Sequence, residues 1–494
     1  MQFWELINRS NFLKDKFKNI EDHFKEIEIN GISNNSKNIK KNFIFFAFTG
    51  NKTNGNLYIN EARRNGATIV ISQEEKGKDV IKLTNKDYFK IYSHLCSSFY
   101  NKKPKNIIAV TGTNGKTSVT DFCRQIWSFY GLKSASIGTL GIRDTSEQYY
   151  HKIRNNLTTL DSSELNKQLS KLYDKQISYV ALEASSHGIN QNRLDGINFN
   201  GAVFTNLSHD HLDYHKNMEN YFSAKMKLFT EHLKDGTCVS INLDDQYGME
   251  LYNKIKTKNF KFVNFGFNEK CELKLIQIKK IEKIWQLEIL YKNKLYKTEI
   301  GLVGHFQIYN ALAAASICLG LGLKQDSIFK SLSYLQTVPG RMQIVNHPLC
   351  KATIIVDYAH TPNALENAIL AVKKMNVSGK IYTLFGCGGE RDHEKRSKMG
   401  EVAFKNSDFT IITDDNPRTE DPSLIRKSII NNNPKAIEIP GRDVAIKKAI
   451  SFLKDDDVLI IAGKGHEQTQ TIGIETLPFD DVSVVKNTLD RLNP

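Results

Sequence analysis

The stretch TGTNGKTS, residues 111–118, constrains this chain more than any other. It follows a short β-branched run, NIIAV (106–110), and leads into TSVTDFCRQIWSFY, whose apolar spacing predicts a helix closed by Gly131. Strand, glycine loop and helix in that order aim backbone amides and a helix N-terminus at one point, which suits a phosphate. Lys116 adds charge there, and Thr117 a hydroxyl fit for magnesium. The usual spacing G-x-x-x-x-G-K-[ST] puts a glycine at 110, where this chain has Val110, so the loop is a shortened variant.

Such a unit predicts a mostly parallel α/β sheet with its ligand at the carboxyl ends of strands. At 494 residues the chain is too long for one core, and roughly 150 residues per domain suggests about three domains. The polar run NKKPK (101–105) reads as a linker, and the strand–helix pattern restarts near LQTVPGRMQIV (335–345). The expected division is a small N-terminal α/β domain over 1–102, a central P-loop ATP-binding domain over 103–336 and a C-terminal Rossmann-like α/β domain over 337–494. Strand-like runs SYVALEA and GAVFTNL belong to the second. TIIVDYAH, KIYTLFG, FTIITDD and DVLIIAGKG belong to the third.

The formal charge of +14 is spread over lysines interleaved with acids and asparagines, as at Lys14, Lys16, Lys18 and Lys25. No basic block with interleaved aromatics marks a nucleic-acid groove, so the charge points to solvated faces or a small polyanionic substrate. Seven cysteines without a C-x-x-C pair fit neither a disulfide framework nor a zinc knuckle, and predict a reducing, cytoplasmic setting. MQFWELINRSNFLKDKFKN carries charge too early for a signal h-region, and no uncharged apolar run reaches about 18 residues, so no membrane association is expected.

Beyond the loop, NLSHDHLDYHK crowds His209, Asp210, His211, Asp213 and His215 together. Three readings stay open. The hydrolase signature H-x-H-x-D-H fails by one residue, because Tyr214 separates Asp213 from His215. A histidine serving a magnesium held mainly by phosphates and a carboxylate suits the phosphate loop. A solvated polar loop is the plain alternative. Glu183 ends a buried strand and is a plausible magnesium ligand, whereas Lys225, on a predicted helix, reads from sequence alone as a surface lysine.

The ordered motifs TGTNGKTS, LEASSHG, TNLSHDHLDYH, SAKMKLF, GHFQIYNALAA, PGRMQ, DYAHTPNAL, FGCGGERD, DDNPRTEDP and AGKGHE resemble those of the Mur ligases, over about residues 30–470. That resemblance implies an ATP- and Mg2+-dependent ligase that activates a peptide carboxylate as an acyl phosphate for attack by an amine. It implies that Gly112, Thr113, Asn114, Gly115, Lys116, Thr117 and Ser118 cradle ATP, with Asn310, Arg341 and Asp357 contacting the nucleotide. Thr117, Glu183, His211 and Lys225 serve magnesium, Lys225 as a carbamoylated side chain. For a UDP-muramyl dipeptide it implies Asn34, Ser36, Asn156, Thr158, Thr159, Ser185, Gln191 and Arg193. A monomer is expected. The chain departs from the family in SNNSK (33–37), Leu160 and Gln307, which stand where relatives commonly read T-x-D-S-R, proline and asparagine.

The same resemblance implies that the third domain chooses the incoming amine. The D-N-P-R form accompanies meso-diaminopimelate, added to UDP-N-acetylmuramoyl-L-alanyl-D-glutamate, with Arg391, Asp415, Asn416, Pro417, Arg418, Gly463 and Glu467 around it. Diaminopimelate differs from lysine by one distal carboxylate, and an arginine clasps a carboxylate through two parallel bonds. Alternatives are a lysine-adding ligase, a folylpolyglutamate synthetase-like ligase, or an Arg418 that only closes a turn or pairs with Glu420.

Overall fold

The strand Asn106–Thr111 alternates between two cores, Ile108 and Val110 packing on one face and Ile107 and Ala109 on the other, as a strand buried on both sides must. It lies fourth in a seven-stranded sheet that runs Lys261–Phe262, Cys238–Ile241, Gly201–Phe204, Asn106–Thr111, Tyr179–Glu183, Ser134–Gly138, Gly141–Asp144. The last strand is antiparallel to its neighbour and the other pairings are parallel. This is a computed structural model, and it describes all residues except 50–53, 75, 84–86, 146–156, 282–283, 349, 376, 432 and 493–494.

Before it comes a four-stranded parallel sheet, Gly31–Ser33, Phe43–Ala47, Ala67–Ser72 and Val80–Lys82, covered by the helix Tyr88–Phe99. After it, a six-stranded sheet runs Gln343–Ile344, Thr353–Asp357, Val458–Ala462, Ile381–Phe385, Phe409–Ile412, Ala436–Glu438. Only its short first strand is antiparallel among these pairs. Here too the strands alternate: Ile355 and Ile460 face one core, Ile354, Val356, Leu459 and Ile461 the other.

One unit was not anticipated. Leu273–Ile281, Ile284–Tyr291 and Lys294–Ile300 form an antiparallel meander. Its inner face, including Trp285, Leu287 and Ile289, joins the core under the helix His305–Gly320. The signal was legible, since Trp285, Leu287, Ile289 and Tyr291 alternate with polar residues. Lys292 and Asn293, both at positive φ (48° and 60°), make the tight turn that such a hairpin needs. Among the described residues, no helix is long and apolar enough to cross a membrane.

Candidate active site

The phosphate loop needs its glycines. Gly112 (φ +150°) passes so close to the next strand end that a Cβ would lie 1.9 Å from Thr205 Oγ1. At Gly115 (φ +88°) a Cβ would lie 2.3 Å from Asn310 Oδ1. The loop is braced from the side: Thr113 N donates to Asn206 O and Asn114 N to Asn206 Oδ1, both at 2.9 Å, and Thr113 Oγ1 meets the Tyr221 hydroxyl at 3.2 Å. Thr117 and Ser118 are buried in the first turn of the helix Lys116–Phe129. Lys116 Nζ donates to the carbonyls of Gly112 and Thr113 at 2.9 and 2.8 Å, and desolvation lowers its pKa.

Glu183, at the carboxyl end of the adjacent strand, accepts the Thr139 amide at 2.8 Å and the Thr139 hydroxyl at 3.1 Å. A cavity of about 550 Å3 opens between these strand ends and the six-stranded unit, lined among others by Lys116, Glu183, His211, Asn310, Arg341 and Asp357. Arg341 crosses the gap. Its Nη2 donates to Thr117 Oγ1 at 3.1 Å while the guanidinium stacks 4.3 Å from the centre of the Tyr358 ring. Asp357 accepts the amides of Met342 (2.6 Å) and Ala359 (2.8 Å), and burial raises its pKa. Asn310 Nδ2 donates to Gln307 Oε1 at 2.9 Å, so Gln307 orients Asn310.

Lys225 is not a surface lysine. Only 1% exposed, it projects from the helix Met218–Glu231 and donates to Gly112 O at 2.8 Å, against the face of Tyr221. Desolvation, reinforced by Lys116, holds its amine far below the ordinary lysine range. His211 has left-handed backbone (φ 54°), uncommon outside glycine and found at functional sites. Desolvation in the cleft lowers its pKa, outweighing Asp210 at 3.5 Å, so its imidazole is neutral near pH 7.

The Thr117 hydroxyl and the Glu183 carboxylate are hard oxygen donors of the kind magnesium takes alongside phosphate oxygens and water. Among the described residues, no three His, Cys, Asp or Glu side chains converge as a metal cage.

Beside this cavity a polar cluster joins four expected substrate residues. Thr159 Oγ1 contacts Ser185 Oγ at 3.0 Å and accepts the Ser185 amide at 2.8 Å. Arg193 donates to Thr159 O (2.7 Å) and to Gln191 Oε1 (2.6 Å). Thr158 lies 3.4 Å from the Thr139 hydroxyl. Asn34 reaches this unit from the first sheet, donating to Asp161 Oδ2 at 3.3 Å, whereas Ser36 is buried and donates to Glu61 Oε2 at 2.7 Å. Asn156 lies outside the described residues.

The remaining candidates meet at the carboxyl ends of the six-stranded sheet. Asp415–Arg418 follows the strand Phe409–Ile412, and Gly463 and Glu467 follow Val458–Ala462. Gly463 (φ +108°) faces Asp415, whose Oδ2 a Cβ there would meet at 2.7 Å. Gly389 packs on Pro417, and Gly388 faces the Arg418 guanidinium and the Cγ of Arg391. Arg418 is in the left-handed region (φ 54°) and donates through Nη1 to Gly389 O at 2.6 Å. Its backbone is clamped on both sides by the hairpin Thr469–Pro478: Arg418 N donates to Thr471 O (3.1 Å), and Gly473 N to Arg418 O (2.7 Å). Glu420 pairs with Arg396 at 2.9 Å, so the reading of Arg418 as its partner does not hold. Asp414 pairs with Arg426 and accepts the Gly441 amide.

Sequence reasoning missed Thr139, Asp161 and Tyr358, which touch site residues through the fold, and Lys464, which sits inside the quoted AGKGHE motif.

Three family models match in chain order: "Mur ligase family, catalytic domain" over 28–103, "Mur ligase middle domain" over 110–318 and "Mur ligase, glutamate ligase domain" over 340–465. Relatives named UDP-N-acetylmuramoyl-L-alanyl-D-glutamate--2,6-diaminopimelate ligase match along nearly their whole length. That of Rickettsia typhi is 40% identical (95% of either chain), that of Rickettsia montanensis 41% (96% of this chain, 99% of the relative) and that of Rhizobium meliloti 39% (94% and 95%). A solved structure of the same name is similar at TM-score 0.68 and 30% identity, covering 100% of this chain and 99% of that one. A MurF ligase from Thermotoga maritima in complex with ADP shares the fold at TM-score 0.64 and 18% identity, covering 93% and 97%. With three matched segments spanning residues 28–465 and relatives aligned end to end, the chain belongs to the Mur ligase family.

Proposed function

We propose that this ligase adds meso-diaminopimelate to UDP-N-acetylmuramoyl-L-alanyl-D-glutamate at the expense of ATP. The observation that carries the reading is the loop Asp415–Arg418 at the carboxyl ends of the six-stranded sheet, where Asp415 faces Gly463, Asn416 donates to Glu467 and Arg418 lies against Gly388 and Gly389. The printed names of the relatives support it.

The γ-phosphoryl group passes from ATP to the substrate carboxylate, giving ADP and an acyl phosphate. The amine then attacks that carbonyl and, after losing a proton, expels phosphate as the amide forms. Little covalent work falls to the protein, which positions and neutralises charge. Lys116, at the loop carbonyls of Gly112 and Thr113, and Arg341, at the Thr117 hydroxyl, both line the cavity and neutralise the phosphates. Magnesium, held by Thr117 and Glu183 with His211 and carbamoylated Lys225 at a second ion, would spread the remaining phosphate charge. Arg193, Thr158, Thr159, Ser185 and Gln191 hold the anionic dipeptide, with Asn34, Ser36 and Asn156 toward the nucleotide. Asn310 and Asp357 take the adenosine end of ATP.

Arg418 and Arg391 receive the distal carboxylate of diaminopimelate, and Asp415 and Glu467 its ammonium. On this reading residues 1–102 bind the UDP-muramyl moiety, 103–336 ATP and 337–494 the amino acid, in a monomeric cytoplasmic enzyme. The test is an ATP-dependent ligation assay with the UDP-muramyl dipeptide, offering diaminopimelate and lysine in competition. Preference for lysine selects the lysine-adding alternative, and ATP hydrolysis that ignores the muramyl peptide overturns the reading.

A further inference from the structure

Lys464 lies between two expected amino-acid-site residues, Gly463 and Glu467, yet its side chain is 0% exposed. Its Nζ donates to Asn416 Oδ1 at 3.1 Å and to Glu467 Oε2 at 3.0 Å. Asn416 Nδ2 donates to the same Glu467 oxygen at 3.0 Å, and Asn416 Oδ1 also accepts the Thr471 amide at 3.0 Å. Phe479 closes the remaining side, its ring centre 6.0 Å from Nζ. A fully buried ammonium is costly unless it is paired and hydrogen-bonded. Both of its partners here are side chains of the specificity site, and neither belongs to the phosphate cavity.

We infer that Lys464 is a positioning residue that determines amino-acid specificity: it pins Glu467 Oε2 and Asn416 Oδ1, leaving Glu467 Oε1 to receive the substrate's ammonium. It also sets the charge balance. Arg391, Arg418 and Lys464 stand against Asp415 and Glu467. The distal end of diaminopimelate is a zwitterion, whereas that of lysine is a bare cation. A cation fixed behind Glu467 weakens the pull on a lone ammonium while leaving the zwitterion its arginine partners, a repulsive element against the wrong substrate. The inference rests on the reading of this loop as a diaminopimelate site.

The test uses the full chain, with Lys464→Met and Lys464→Gln compared with wild type and Lys464→Arg. Loss of the charge is expected to raise the KM for diaminopimelate at least about tenfold, the worth of a charged hydrogen bond, while the KM for ATP stays within about twofold. The preference for diaminopimelate over lysine narrows, and Lys464→Arg recovers part of both. Because Lys464 acts through Glu467, adding Lys464→Met to Glu467→Gln costs little beyond Glu467→Gln alone.

An unchanged KM and preference in a folded Lys464→Gln protein overturns the inference, as does an equal rise in KM for all three substrates or full additivity with Glu467→Gln. A wild-type chain that ligates neither amino acid overturns the functional reading itself, before any variant is compared.

Discussion

Lys225 Nζ donates to the carbonyl oxygen of Gly112 at 2.8 Å, across 113 residues of sequence, from a site 1% exposed to solvent. Its pKa is held well below the usual lysine range by desolvation and by Lys116, which favours the neutral amine, the form that adds carbon dioxide. The expected outcome is a carbamate on Lys225, seen as a 13C signal in the folded protein with labelled bicarbonate and absent from Lys225→Ala. The sign follows from the direction of the shift: as pH falls through the lowered pKa the amine is protonated, and the signal and ligation decline together.

Arg418→Ala removes a guanidinium held by Gly389 O while leaving the backbone clamp of the hairpin in place. Loss of roughly 1.5–3 kcal/mol predicts a fall of about tenfold to a hundredfold or more in kcat/KM for diaminopimelate, with ATP binding nearly intact. Steady-state kinetics with both amino acids check it, and an unchanged preference would sink the assignment.

Gly340 (φ +65°) lies one residue before Arg341, and a Cβ there would lie 2.3 Å from His466 N. Gly340→Ala combines left-handed strain with a backbone clash and is expected to cost about 1–3 kcal/mol. Because the clash separates PGR from GKGHE, kcat should fall more than the KM for the UDP-muramyl dipeptide. Kinetics alongside a thermal melt separate this from simple unfolding.

Arg442 and Asp481 form an ion pair at 2.8 Å with both side chains 0% exposed, and Arg442 also donates to Ala462 O at 2.9 Å. Arg442→Met strands a buried carboxylate and should destabilise by about 3–5 kcal/mol, whereas Arg442→Met with Asp481→Leu should recover most of that. Denaturant unfolding of the two variants gives the comparison.

Much of the α/β architecture could be read along the chain. The strands at 106–111, 179–183, 353–357 and 458–462 fall where β-branched runs meet glycines and helical spacing. The meander from 273 to 300 went unread because attention to parallel strand–helix units hides an antiparallel alternation inside it. In the candidate site, Lys225 shows the limit most plainly: nothing in SAKMKLF says that its helix will press against the phosphate loop.

What the sequence determined by itself was local. Glycines at 112 and 115 followed by a helix specify the phosphate loop, because backbone conformation is settled by neighbours in the chain. Tertiary structure decided the partners. It carried Arg341 across 224 residues to Thr117 and gave Glu420 to Arg396 instead of Arg418. It buried Lys464 between Asn416 and Glu467, and it clamped Arg418 in left-handed backbone with the distant hairpin Thr469–Pro478. Those contacts arise only when hydrophobic faces of distant elements pack together, and long-range burial leaves no periodic mark on the charged residues it brings along.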